Sequence, residues 1–229
     1  MEKKQYELCL EILRRFHQAG ILNHFILIGS WCTVFYEDYF GPEPYIDHTT
    51  LKTRDIDFLI DTPSHIKQKI DVSNLLKDLG FITTFHGTQG YIKLDHPDLT
   101  LEFLVPERGK DIDKPYLLPQ LGLNAVALRF LDFLSGNTIK VKVEDFSLNL
   151  PHPANFALHK LIIFQRRTKK DKAIKDRSVA VDILKALIRR DETSLVTKVF
   201  KSAPAKWQAK IVKGLKEAGE KGILEALEK

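Results

Sequence analysis

Arg54-Asp-Ile-Asp-Phe-Leu-Ile60 is the stretch on which the fold turns. From Asp55 to Phe58 its polar and apolar residues alternate. A period of two makes a β-strand that carries Asp55 and Asp57 on one face and Ile56 and Phe58 on the other. Aspartate is disfavoured inside strands, and two like charges held this close call for a cation or for open solvent. Taken alone, the pair reads either as a strand start meeting water or as the carboxylate half of a cation site. Packing gives no reason for it directly ahead of Phe-Leu-Ile.

Upstream, the apolar run Phe25-Ile-Leu-Ile28 ends in Gly29-Ser30, and Trp31 through Phe40 reads as a helix capped by Ser30. Strand, tight turn and helix follow one another. A glycine there lets the backbone turn sharply and approach a ligand, and a helix N-terminus offers unpaired N–H groups to phosphate oxygens. The same Gly-Ser serves equally well as a plain turn and N-cap. Downstream, Leu99-Thr-Leu-Glu-Phe-Leu-Val105 alternates so that Leu99, Leu101 and Phe103 share one face while Thr100 and Glu102 share the other. Glu102 is thus a third strand carboxylate, suited to complete the ligands of one Mg²⁺ and to accept or orient the proton of an attacking hydroxyl.

The rest of the chain frames these three segments. Tyr6, Cys9, Leu10, Leu13 and Phe16 recur at helical spacing from Lys3 to Ala19, with Gly20 as the stop. Gly41-Pro-Glu-Pro-Tyr-Ile-Asp-His-Thr-Thr50 is a loop. Thr62-Pro-Ser-His opens a helix expected to run to about Leu79, and Phe81–Phe85 with Tyr91–Leu94 form a hairpin around His86-Gly-Thr-Gln-Gly90. Further strands are expected at Ala125–Phe130 and Thr138–Val143. After Pro151-His-Pro153 the pattern turns helical, with helices at Asn155–Arg167, at about Arg177–Arg190, and in short basic segments beyond. The order predicts an α+β fold, a mixed β-sheet flanked by helices, with a catalytic domain over residues 1–150 and a helical C-terminal domain over 151–229.

Composition narrows the class. With 229 residues, 44% hydrophobic and 28% charged, the chain can bury a real core and is neither disordered nor collagenous. Cys9 and Cys32 have no Cys or His neighbour at ligand spacing, so no structural zinc is expected. His86, His96, His152 and His159 likewise make no ligand pair and read as structural or solvent-facing. No signal peptide or membrane-length apolar run is expected, which predicts a cytoplasmic protein. The net charge of +5 favours polyanionic partners, and Arg166-Arg-Thr-Lys-Lys-Asp-Lys-Ala-Ile-Lys175 gathers six cationic side chains in ten residues. That run reads either as a solvated helix end or as a phosphate-binding patch.

Ile28-Gly-Ser30, Thr53-Arg-Asp-Ile-Asp-Phe58 and Leu101-Glu-Phe103 together resemble the signature of the DNA polymerase beta-like nucleotidyltransferase superfamily. Leu158-His-Lys160, Arg166, Lys175-Asp176 and Asp182 resemble the helical motif of its abortive-infection type IV toxin-like members, and the combined match spans about residues 25–185. The resemblance implies a metal-dependent enzyme that moves a nucleoside monophosphate from an NTP, ATP among them, to an acceptor hydroxyl on RNA, protein or a small molecule, releasing pyrophosphate. It implies Asp55, Asp57 and Glu102 as catalytic and metal-binding residues, with Asp55 and Asp57 holding both of two Mg²⁺ ions and Glu102 one. Mn²⁺ is the natural substitute. Gly29, Ser30, Lys160 and Arg166 would bind the nucleotide. A tRNA end is the implied RNA acceptor, and a toxin–antitoxin-like setting implies a neutralising protein partner, with no membrane involved.

One departure is clear: Gly29 to Asp55 is a longer interval than compact members of the superfamily show, and it contains the Pro-rich loop. His48, Thr49, Lys52 and Arg54 in or near that insertion could reach phosphate. Two readings without chemistry compete. One is a regulatory module that keeps the fold and binds nucleotide or nucleic acid without transfer. The other is a nucleic-acid binder that depends on Lys169, Lys170 and Lys175.

Overall fold

The structure, a computed structural model, describes residues 3–41, 45–46, 53–109 and 114–228. These gather into two compact units. One holds residues 3–39, 53–109 and 114–150, and the other holds 151–228 together with Phe40, Gly41, Tyr45 and Ile46. The chain order is α1 (Lys3–Gln18), β1 (Ile26–Ile28), α2 (Cys32–Phe35), α3 (Glu37–Phe40), β2 (Asp55–Leu59), α4 (Val72–Leu75), β3 (Ile82–His86), β4 (Tyr91–Asp95), β5 (Thr100–Pro106), β6 (Tyr116–Leu118), β7 (Leu123–Leu128), α5 (Asp132–Ser135), β8 (Thr138–Val143), β9 (Phe146–Pro151), α6 (Pro153–Ile163), α7 (Lys170–Arg189), α8 (Thr193–Ser202), α9 (Ala205–Glu217) and α10 (Lys221–Glu228). The fold is α+β with a mixed sheet, as the segment pattern predicts.

Within the first unit the strands lie in the order β3-β4-β5-β2-β1-β9-β8, with β7 beside β5 and β6 beside β7. The central pair β2 and β5 is parallel, while β2 and β1 are antiparallel. The two faces of these strands have different fates. Ile56, Phe58, Leu101 and Phe103 point to the back, where α1 brings Phe16 within 5.4 Å of the Phe58 ring, and Phe25 stands 5.8 Å from Phe103. Each fully buried phenylalanine contributes about 1.5–3 kcal/mol. Repulsion between Asp55 and Asp57 across water is about 1 kcal/mol or less. The buried back face therefore fixes the strand, and the aspartates go where the register sends them.

The front face is divided along its length. Ile26, Ile28, Leu59 and Leu104 form an apolar cluster with Leu131 and Leu134 at one end, and Asp55, Asp57, Thr100 and Glu102 occupy the other.

Three local expectations are corrected. The helix expected from Thr62 to Leu79 is mostly absent: a turn at Pro63–His65 is followed by non-helical chain, and only Val72–Leu75 is α-helical. Tertiary bonds outcompete the helix, since the Ile70 N–H donates to Gln120 O (2.8 Å) and the Gln120 amide to Pro63 O (3.1 Å). Asp71 then starts α4 by accepting from the Asn74 N–H. The helix expected over Trp31–Phe40 is interrupted at Tyr36, where the Tyr39 N–H closes a short turn onto Tyr36 O (3.0 Å). Ser30 does not cap it: Gly29–Trp31 is a 3₁₀ turn whose cap position is Ile28, and α2 is preceded by Trp31, neither with a side-chain cap bond. Strands β6 and β9 add to those expected.

In the second unit α6 is buried from Pro153 to Ile162, which is why it lacks an amphipathic pattern. His152 caps it, its Nδ1 accepting from the Ala154 N–H (3.1 Å). Helix α9 comes so near that a Cβ at Gly214 would stand 2.7 Å from Phe164 Cε1. Helix α7 starts at Lys170, earlier than its apolar periodicity indicates, so the basic run contributes its first turn.

Candidate functional site

The parallel register pairs Asp55 with Thr100 and Asp57 with Glu102. Neighbouring strands lie about 4.8 Å apart, and residues in register project to the same side. The three predicted acids therefore rise from one end of one sheet face. Asp55 is exposed, and Asp57 and Glu102 are half-buried.

Gly29 belongs to this group for a reason stronger than turn-making. Strand β1 sets Ile28 opposite Asp57, and the chain then turns at Gly29 with φ +75°. A Cβ at Gly29 would overlap Asp57 Oδ2. Both the left-handed backbone and the carboxylate beside it demand glycine. Ser30 is half-buried in the turn, and its carbonyl accepts from Thr33 Oγ1 (2.6 Å). Arg54 is exposed and donates to His96 O (3.0 Å). His48, Thr49 and Lys52 lie outside the described residues.

A cation that sequence reading passes over also stands on this face. Lys93 of β4 is opposite Glu102 in the β4–β5 register, and its ammonium is ion-paired with Glu102 Oε1. Burial opposes the charge on Lys93. The Glu102 bond, with the charges of Glu102, Asp55 and Asp95, outweighs it and raises the pKa above the usual lysine value. Asp95 extends the polar face on the same strand. Burial works against its charge too, but Thr84 Oγ1 (2.6 Å), Thr100 Oγ1 (2.8 Å) and His86 hold its carboxyl below the ordinary range. The alternation of Tyr91–Leu94 places Lys93 opposite Leu94 in facing; that this is the Glu102 side follows only from strand pairing.

The donor set is that of a hard divalent cation: carboxylates only, on a rigid sheet. The strand positions fit such an ion. The side chains as they stand do not enclose one, since among the described residues no group of three His, Cys, Asp or Glu side chains converges as a metal-holding set. Strand order supplies the reason. β4 and β2 flank β5 on opposite sides, so pairing with Lys93 draws the Glu102 carboxylate toward β4.

The predicted cationic residues lie in the second unit. Lys160 is buried in α6, its Nζ donating to Asp176 Oδ1 (2.5 Å) and lying 5.0 Å from the Phe156 ring centre. Arg167 Nε reaches Asp176 Oδ2 (2.8 Å). Burial alone would raise the Asp176 pKa, but the charges and bonds of Lys160 and Arg167 lower it. His159 beside them is buried, its Nε2 without a hydrogen-bond partner among the described residues. Desolvation and the Lys160 charge push its pKa down to about 3. Lys175 is lowered by the same two causes, burial first. Arg166, Lys169 and Lys170 are exposed.

A family model described as "Nucleotidyltransferase" matches residues 7–204 of the chain. Among solved structures, the chain is similar to an antigenic nucleotidyltransferase-like protein from Paracoccidioides brasiliensis, at 12% identity and a TM-score of 0.48 over 96% of this chain and 91% of that one. It is also similar to the antibiotic-resistance factor ANT(2'')-Ia, at 12% identity and a TM-score of 0.44 over 85% and 96%. No curated protein matches the sequence.

Proposed function

We propose, from the premise that this chain belongs to the nucleotidyltransferase family, that it transfers a nucleoside monophosphate from an NTP to a hydroxyl in a divalent-metal-dependent reaction. The observation that carries the reading is the parallel register that sets Asp55, Asp57 and Glu102 together beside the Gly29 turn. Asp55 and Asp57 would hold two Mg²⁺ ions, and Glu102 one of them. Held there, the ions would supply Lewis-acid stabilisation of the attacking and leaving oxygens.

The chain's own residues supply the rest. The acceptor oxygen bonds to the α-phosphorus, the bond to the bridging oxygen breaks, and pyrophosphate leaves with that electron pair. Glu102, once turned toward Asp57, takes or orients the hydroxyl proton. Gly29 keeps the backbone low enough for Asp57 to retain its place. The basic run of residues 166–175, which includes exposed Arg166, favours RNA as the acceptor, a tRNA end above all; Lys160 is buried on Asp176 and is engaged by that pair. The reading extends to ATP among the donors, a cytoplasmic setting and a neutralising protein partner. Among the described residues no helix is long and apolar enough to cross a membrane.

The test is to incubate the protein with each labelled NTP, Mg²⁺ and total cellular RNA, and to ask which fraction carries label. Asp55→Asn with Asp57→Asn is expected to abolish both labelling and Mg²⁺-dependent NTP binding. Unchanged NTP affinity in that variant by titration calorimetry would sink the catalytic reading and leave the non-catalytic module.

A further inference from the structure

The acid-bearing face contains its own cation. Lys93 reaches Glu102 from the neighbouring strand, with both side chains still partly open to water at 26% and 22% exposure. Its register neighbour on the other side, Thr84, donates its hydroxyl to Asp95 rather than to Glu102. A partly exposed ion pair is weakly held and readily exchanged. A divalent ion brings twice the charge to the same carboxylate.

Resting on the nucleotidyltransferase reading above, we propose that Lys93 is a positioning residue that competes with the divalent ion for Glu102. With no ion bound, Lys93 keeps the Glu102 carboxylate turned toward β4 and moderates the charge shared by Asp55 and Glu102. When the ion binds, Glu102 exchanges Lys93 for the metal and turns toward Asp57, its register partner. The third ligand thus joins only against this internal competitor. Metal affinity in the absence of nucleotide is held down, and the freed ammonium remains on the face where a triphosphate would lie.

The experiment is a Mn²⁺ titration without nucleotide, following free Mn²⁺ by electron paramagnetic resonance, on wild type, Lys93→Met, Lys93→Gln, Lys93→Arg and the double variant Asp55→Asn with Asp57→Asn. Lys93→Met and Lys93→Gln are expected to bind Mn²⁺ about tenfold more tightly than wild type, which is about 1.4 kcal/mol. Lys93→Arg is expected to stay close to wild type. Unchanged or weaker affinity in Lys93→Met and Lys93→Gln overturns the proposal. Should the methionine variant fail to fold, the glutamine variant decides. Loss of binding in the double variant alongside unchanged affinity in the Lys93 variants defeats the competitor role alone. Equal binding in the double variant and wild type, or no binding in any variant, defeats the metal-site reading beneath it.

Discussion

Lys93 with Glu102 in the sheet and Lys160 with Asp176 in the helical unit are the same chemical pair in two different solvents. The sheet pair keeps about a quarter of each side chain in water, whereas the helical pair keeps only 5% and 8%. Water makes the first pair cheap to open, since exposed ion pairs are worth about 0–1 kcal/mol. Burial makes the second dangerous to open, because an uncompensated charge stranded inside costs several kcal/mol. Asp176 also has a second cation, Arg167, while Glu102 is bonded to Lys93. One pair has the character of an exchangeable contact, the other of a lock.

The hardest way to break this contrast is to remove the buried anion. Asp176→Asn is expected to lower unfolding stability by about 3–5 kcal/mol in a denaturant titration, because it leaves Lys160 buried without its counter-charge. Lys160→Met should cost less, since Arg167 still satisfies Asp176. Equal losses would show that Arg167 does not share the load.

Acid sharpens the comparison next. His159 is neutral in the folded protein because its pKa is pushed down to about 3, whereas in the unfolded chain it protonates below its ordinary value of 6.5. The unfolded state therefore binds more protons between these values. The stability is fully present above pH 6.5 and is lost as pH falls toward 3, with a slope approaching about 1.4 kcal/mol per pH unit. Stability measured from pH 7.5 to 4.5 should show this slope, and His159→Leu should flatten it. Below that range Asp176, whose folded pKa is also depressed, adds its own loss in the same direction. A flat wild-type profile would mean that the histidine already reaches solvent.

The smallest effect is expected at the sheet. Lys93→Met should change stability at pH 7 by less than about 1 kcal/mol. A loss as large as that of Asp176→Asn, measured in the same titration, would erase the distinction on which an exchangeable Lys93 depends.

Much of this fold is legible in the sequence. The β3–β4 hairpin, with β3 largely exposed, is marked by the turn residues His86-Gly-Thr-Gln-Gly90, whereas alternation locates β2 and β5 because their buried back face imposes its period on the sequence. The α1 stripe was readable for the same reason. The stretch from Thr62 to Leu79 misled because its backbone bonds go to residues near Gln120, a partner no local pattern announces. Strand β9 had its signal in buried Phe146, Leu148 and Leu150, but it pairs with β1 from the far end of the unit. Lys93 shows the same limit at the candidate site. A lysine in a hairpin is unremarkable until the register puts it opposite Glu102.

Sequence alone determined the chain order of the apolar strand, the Gly29 turn and the strand carboxylates, because strand period and turn-making are local consequences of side-chain size and charge. Only the tertiary structure decided the neighbours: that Asp57 meets Glu102, that a Cβ at Gly29 would strike Asp57, and that Glu102 is held by Lys93 rather than facing the aspartates alone. Strand pairing joins residues separated by any length of chain, and the strength of each charge pair depends on how much water the packed structure leaves around it.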